Sequence, residues 1–296
     1  MRTSELLKYL FLLLLIASVP TWAIAQDSTE DSTEATPEEE EEDTAEELDP
    51  ADVPTDSILT DVNGDGNIDL VGFGDSITRG AGDFIPAGEE ELVITPEGEA
   101  GYPLRVENLL GLNVLNLGDP GEQISILGLP RFAATIPHVG RDFVVLSGGS
   151  NDARDPIPVN QFYVAIQTMI NIARATGVQV VLMTAPPACC NHRFLNGPVS
   201  SYNSQFRVLA TVNELRLADV AHAFENTCPV MEGCFLLNLP EGLHPNIKGY
   251  DLIGENVIAT LYGIDLFAPE GAGYLETILA LPAGSVLTRP DATSGS

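Results

Sequence analysis

Residues 68–78 read Ile-Asp-Leu-Val-Gly-Phe-Gly-Asp-Ser-Ile-Thr. The run 68–73 is apolar on both parities, as expected of a strand covered on both faces, and Gly74 to Thr78 is a tight polar turn. The pattern recurs downstream at 113–117 (NVLNL), 142–147 (DFVVLS), 178–184 (VQVVLMT) and, more weakly, 218–224 (ADVAHAF). Helical periodicity fills the intervals at 102–111, 125–136, 158–176, 200–216 and 247–262. Strands alternating with helices imply parallel pairing through right-handed crossovers, hence a three-layer α/β/α domain of about 200 residues. No internal repeat is visible.

In such sheets the chemistry sits beyond the carboxyl ends of the strands. Three strands end in Gly-containing polar turns: Gly74-Asp75-Ser76-Ile77-Thr78, Asn116-Leu117-Gly118-Asp119-Pro120-Gly121 and Gly148-Gly149-Ser150-Asn151-Asp152. A fourth, Glu241-Gly242-Leu243-His244-Pro245-Asn246, precedes the last helical stretch. All four are expected on one rim. Ser76 lies on a strand-to-helix turn, where its hydroxyl is exposed and its amide faces the positive end of a helix. Such a hydroxyl needs a base to become a nucleophile, and His244 is the one histidine in a turn of this rim type. Glu241, three residues earlier, can orient that histidine. The amides of Ser76 and Gly121 and the side chain of Asn151 can donate to an oxyanion, each such donor being worth about 2.7–4 kcal/mol of barrier. His138 and His222 are expected to be packed or at the surface, and His192 to line the pocket mouth. Asp75 and Asp152 are expected to hold the turns rather than to carry protons.

These turns resemble the conserved blocks of the SGNH (GDSL-type) hydrolase family: GDSIT, NLGDPG, GSND and EGLHPN, in order over roughly residues 68–262. The resemblance implies a flavodoxin-like sheet of five parallel strands. It implies Ser76 as nucleophile, Gly121 and Asn151 as oxyanion donors and His244 as general base. The family places Asp three residues before the histidine, where this chain has Glu241. The alternative to Glu241 in that role is a Ser–His pair held by a backbone carbonyl or water.

The 296 residues carry 13 basic and 43 acidic side chains, a formal charge of −30. Fifteen of the acids, and no base, fall within 26–60. The charge excludes a general nucleic-acid binder and argues against an anionic membrane surface as the main partner. Apolar content of 44% is enough for a core. Residues 1–25, with Arg2 and Lys8 before the apolar run Tyr9–Val19 and small residues at Ala23 and Ala25, read as a secretory signal. Its rival is an uncleaved anchor, although an 11-residue run is short for spanning a bilayer. The expected organisation is therefore signal 1–25, acidic disordered linker 26–60, hydrolase domain 61–264 and tail 265–296. The chain is expected to be secreted or periplasmic, with no transmembrane segment once the signal is cleaved. Its oligomeric state stays open.

Export permits disulfides. The adjacency of Cys189 and Cys190 favours pairing each with one of Cys228 and Cys234, although three connectivities are open. A zinc site is the alternative, without CxxC spacing to support it. Asp61-Val62-Asn63-Gly64-Asp65-Gly66-Asn67-Ile68-Asp69 fits the opening of a calcium loop, with Asp61, Asn63, Asp65, Asn67 and Asp69 as candidate ligands. Position 12 is Gly72 rather than Glu, and a plain Asn/Gly turn is the alternative; the loop enters the strand at the end opposite Ser76, so any calcium is structural, and catalysis needs no cofactor. The loop Ala81–Gly101 and the segment 185–198 can wall a substrate cleft. Trp22 leaves with the signal, so Tyr102 and Tyr202 are the candidates for a platform under a sugar.

The expected activity is hydrolysis of carboxylic esters, short acyl or acetyl esters of carbohydrate or small lipids, through an acyl-enzyme on Ser76. The rivals are a lysophospholipase or thioesterase-type lipolytic enzyme, a catalytically silent binding module on the same fold, and a calcium-dependent adhesion protein.

Overall fold

Leu70 and Val71 are both fully buried yet face opposite sides of one sheet, and the same parity runs through the neighbouring strands. The computed structural model describes residues 56–83 and 101–281. The proposed signal, residues 26–55 of the acidic segment, residues 84–100 and residues 282–296 lie outside that description. Five strands, β1 (Asp69–Gly74), β2 (Asn113–Gly118), β3 (Phe143–Leu146), β4 (Gln179–Met183) and β5 (Arg216–Ala218), form one sheet. All pairs are parallel and the order is β2-β1-β3-β4-β5, the flavodoxin-like arrangement.

One face is covered by α2 (Gly101–Leu110) and α8 (Ile247–Tyr262), which pack with Leu70, Val145, Val181 and Met183. The other is covered by α3 (Leu129–Thr135), α5 (Val159–Ala175) and α6 (Asn196–Asn213), which pack with Val71, Phe73, Val144, Leu146 and Leu182. Three short helices complete the description: α1 (Ser76–Arg79), α4 (Ser150–Arg154) and α7 (Val220–Thr227). A ninth, α9 (Gly271–Leu279), buries Leu275 and Ile278 in the first cluster. Leu59 is buried there too, at 1% exposure, and the Ile58 N–H bonds the Leu261 carbonyl at 3.0 Å, so residues flanking 61–264 pack with the domain.

Two sequence expectations need correction. The fifth strand is at 216–218 rather than 218–224. Asp219 caps a helix instead, accepting the His222 N–H at 3.4 Å, and Val220, Ala221, Ala223 and Phe224 form its buried face. Their spacing suits a helical stripe and not the alternation of a strand. The helical stretch 125–136 is a π-turn (Ile124–Gly128), then α3, then a 3-10 turn (Ile136–His138). Pro130 sits in the first turn of α3, where its missing N–H costs nothing.

The chain leaves β1 for β2 on one side and later returns to β3 on the other. This reversal opens a crevice at the carboxyl ends of the strands. The register aligns those ends: Phe73 pairs with Leu117 and with Leu146. The turns after β1, β2 and β3 therefore meet on one rim, with Ser76 at the centre.

Candidate active site

Ser76 follows β1 through a turn that only glycine permits. A Cβ on Gly74 would lie 2.3 Å from Thr78 Oγ1, and one on Gly118 would lie 2.2 Å from the Arg79 nitrogen. Asp75 caps α1 by accepting the Ile77 N–H at 3.0 Å. Burial pushes its carboxyl up to about 6, despite that bond and the nearby His244. Ser76 Oγ lies 2.9 Å from His244 Nε2, and His244 Nδ1 lies 3.0 Å from Glu241 Oε1. Thus Glu241, despite the extra methylene, reaches the histidine.

Glu241 reaches it because its turn folds the side chain back. Its Oε2 accepts the N–H groups of Leu243 at 2.8 Å and His244 at 2.9 Å. Burial raises the Glu241 carboxyl, but the bond and charge of His244 and these two amides outweigh it and hold the group below its ordinary value. The carboxylate accepts, so His244 Nδ1 carries the hydrogen and Nε2 offers a lone pair to the serine hydroxyl. Gly242, at φ +76, makes the turn possible: a Cβ there would lie 2.5 Å from the Cys189 carbonyl oxygen.

Gly121 stands in the turn after β2 with φ +83, and Asn151, 7% exposed, is in α4 just beyond β3. Asp152 ties these turns together. Its carboxylate accepts the N–H of Ile124 at 2.9 Å and of Ser125 at 3.1 Å, and the Ser125 hydroxyl as well. Burial raises its pKa, and those bonds oppose the rise. Asp75 and Asp152 thus hold the turns, as the sequence suggested.

Arg131 and Glu122 were not singled out in the sequence. Arg131 Nε bonds Glu122 Oε1 at 2.8 Å, while its Nη atoms reach the carbonyls of Leu117 at 2.9 Å and Gly74 at 3.2 Å. The guanidinium also lies 3.9 Å from the Phe73 ring centre. One arginine therefore clamps the ends of β1 and β2 beside Gly121. The only hint in the sequence is a lone arginine in an otherwise apolar helical stretch. His192, expected at a pocket mouth, lies against Glu241, with Nδ1 2.7 Å from the Glu241 carbonyl oxygen. His222 packs on Phe267, with ring centres 4.3 Å apart. His138 precedes β3, away from the carboxyl-end rim.

Two further expectations change. Cys228 and Cys234 pair with each other, their Cα atoms 5.6 Å apart across a six-residue separation, while Cys189 and Cys190 are free. The turn brings 228 and 234 within ordinary bridging distance, whereas Cys189 is held under Gly242 by a 2.7 Å bond from its N–H to the Gly242 carbonyl. Burial, with Cys190 beside it, pushes the Cys189 thiol up to about 12, so it stays protonated at neutral pH. Tyr102 and Tyr202 are buried, at 0% and 2% exposure, and do not form a platform. Tyr202 bonds the carbonyls of Asp152 and Ile157.

The calcium-like loop closes on itself. Asp61 accepts the N–H groups of Gly64 and Gly66, Asn63 that of Asp65, and Asp65 that of Asn67. Asp142 supplies the anchor, accepting N–H groups from Val62 at 2.7 Å, Asn63 at 2.9 Å and Asp69 at 2.8 Å. Asp69 Oδ1 lies 2.8 Å from Arg141, so its carboxylate is engaged there rather than with Asp61 and Asp65. Among the described residues no three His, Cys, Asp or Glu side chains gather as a metal site. Nor is any described helix long and apolar enough to cross a membrane.

A serine hydroxyl against a histidine held by a carboxylate, on a flavodoxin-like sheet, defines a hydrolase class. The family model described as GDSL-like lipase/acylhydrolase matches residues 73–252, and the chain belongs to that family. Among curated proteins none matches in sequence. Among solved structures the chain is similar to a lipase/acylhydrolase from Enterococcus faecalis, at 24% identity and a TM-score of 0.55, over 66% of this chain and 96% of that one. It is also similar to an alpha/beta hydrolase from the metagenome of Lake Arreo, Spain, at 21% identity and 0.55, over 68% and 97%. A catalytic mutant of an acetylxylan esterase from Geobacillus stearothermophilus matches at 18% identity and 0.54, over 66% and 94%. At these identities the likeness is one of fold.

Proposed function

We propose that this chain hydrolyses carboxylic esters bearing short acyl groups, through an acyl-enzyme on Ser76. The observation that carries the reading is the 2.9 Å contact between Ser76 Oγ and His244 Nε2, continued to Glu241 at 3.0 Å. In the proposed reaction Ser76 Oγ attacks the ester carbonyl while its proton passes to His244 Nε2. Glu241 stabilises the imidazolium without taking the proton. The tetrahedral oxyanion takes donors from the Ser76 and Gly121 amides and the Asn151 side chain. Collapse expels the alcohol, which leaves with the proton from His244. Water, deprotonated by the same histidine, then attacks the acyl-enzyme and releases the acid. Family membership supports an ester substrate, and acetyl groups on carbohydrate and small lipid esters are the candidates.

Glu241 tests the reading. Glu241→Gln keeps the shape but can present an amide N–H to His244, favouring the wrong tautomer. kcat on p-nitrophenyl acetate should fall on the order of 1,000-fold or more. Glu241→Asp keeps the charge and shortens the reach, so its loss should be much smaller. A Gln variant matching the parent across neutral pH would remove Glu241 from the reaction.

A further inference from the structure

His192 contacts Glu241 twice through a single ring nitrogen. Nδ1 is 2.7 Å from the Glu241 carbonyl oxygen and 3.3 Å from its carboxylate Oε1. A carbonyl oxygen can only accept, so Nδ1 must carry the hydrogen. Oε1 is the same oxygen that receives His244 Nδ1 at 3.0 Å. The carboxylate oxygen facing the Ser76 base is therefore flanked by two imidazoles, one on the same turn and one from another element.

That second element is built to present the ring. Cys190 to Leu195 form a 3-10 turn, and its first residue has φ +53, one of two non-glycine residues in the left-handed region among those described. Such a conformation persists only where the surroundings enforce it. Here they do: the Cys189 N–H bonds the Gly242 carbonyl at 2.7 Å and the Asn191 N–H bonds the Pro240 carbonyl at 3.3 Å. The His192 N–H bonds the Cys189 carbonyl at 2.8 Å. Three hydrogen bonds thus fix the ring relative to the turn that carries Glu241. A glutamate also has one more side-chain torsion than aspartate, and each torsion left free costs rotamer entropy on ordering.

We propose that His192 is a positioning residue for Glu241, holding the carboxylate of this longer acid in the orientation that serves His244. The inference rests on the Ser76–His244–Glu241 reading and names a role that the four sequence blocks do not contain. Two amides already hold Oε2, so Oε1 keeps facing His244 as long as the main chain of Glu241 and the turn that carries it stay in place. The His192 N–H ties the main chain of Glu241 through its carbonyl oxygen, and the ring stands beside Oε1 at 3.3 Å, the oxygen that the two amides do not hold.

The experiment compares kcat and KM for a short-acyl ester in the full chain, His192→Leu and His192→Asn, each with Glu241 intact and with Glu241→Ala. Asn can place its Nδ2 donor near the position of the lost Nδ1. With Glu241 intact, His192→Leu should lower kcat on the order of 10-fold or more while KM hardly moves, the effect of letting the turn that carries the acid shift from its productive geometry. His192→Asn should recover most of that rate. In the Glu241→Ala background His192→Leu should cost nothing further, because the group it positions is gone. A full rate in His192→Leu would overturn the inference, as would an equal loss in both backgrounds or no recovery with Asn. Unfolding midpoints separate a misfolded variant from a mispositioned acid. A parent chain without ester hydrolysis would overturn the functional reading itself. A parent that hydrolyses esters, with His192→Leu unimpaired, would overturn only the role of His192.

Discussion

Ser76→Ala should reduce ester hydrolysis on the order of 10,000-fold, leaving the residual rate that binding and oxyanion donors alone sustain. Folding should be unaffected. Among the described residues the Ser76 hydroxyl bonds only His244, and α1 is held by other groups: the Asp75 cap at its start and the Gly80 N–H bond to the Ser76 carbonyl at 3.0 Å. The amide of residue 76 remains in place to donate. The variant therefore separates the nucleophile from its scaffold. A loss of kcat with an unchanged unfolding midpoint is the expected pair of readings. A comparable rate in the variant would assign the chemistry to another group.

His244→Ala should be as damaging, and its combination with Ser76→Ala should be no worse than either change alone. Residues that act as one unit lose their contribution together, so their costs do not add. The geometry predicts such a unit, because His244 Nε2 faces the serine and Nδ1 faces the carboxylate. Without the imidazole, the serine hydroxyl faces no base and remains a weak nucleophile at neutral pH. Steady-state rates of the two single variants and the double variant check this. Losses that multiply would show that Ser76 and His244 act independently.

The first four strands were legible because β-rich, largely apolar runs of five to seven residues have few other uses in a chain of this pattern. β1 to β4 fall within a residue or two of their expected places. The fifth was not legible. At an edge strand only Arg216, Leu217 and Ala218 pair, and the more apolar 220–224 drew the assignment onto a capped helix. The candidate site residues were picked out where a turn had to be tight: Gly74, Ser76, Gly121 and Asn151 lie in Gly-containing segments at strand ends, and Glu241 and His244 in one before α8, and the structure brings Ser76, His244 and Glu241 into contact.

What sequence could not show is which side chains from distant segments meet. Arg131 against Glu122, Asp142 under the 61–69 loop, and His192 against Glu241 are contacts across 9, 73–80 and 49 positions. None has a local signature. The cysteines illustrate the same limit. Adjacent Cys189 and Cys190 invited two long-range bridges, but the backbone bond between Cys189 and Gly242 commits that segment to the turn that carries Glu241 and His244. The turn 228–234 closes on itself. Likewise Tyr102 and Tyr202 carry no mark in sequence that distinguishes a sugar platform from a core residue. Burial decides it.

The central claim is that Ser76 is an activated nucleophile. Incubation of the full chain with a fluorophosphonate, followed by intact-mass and peptide analysis, tests it without knowledge of the natural ester. The account predicts one covalent adduct per chain, located on Ser76 and lost in Ser76→Ala and His244→Ala. An unlabelled chain, or an adduct that persists in Ser76→Ala, would contradict it.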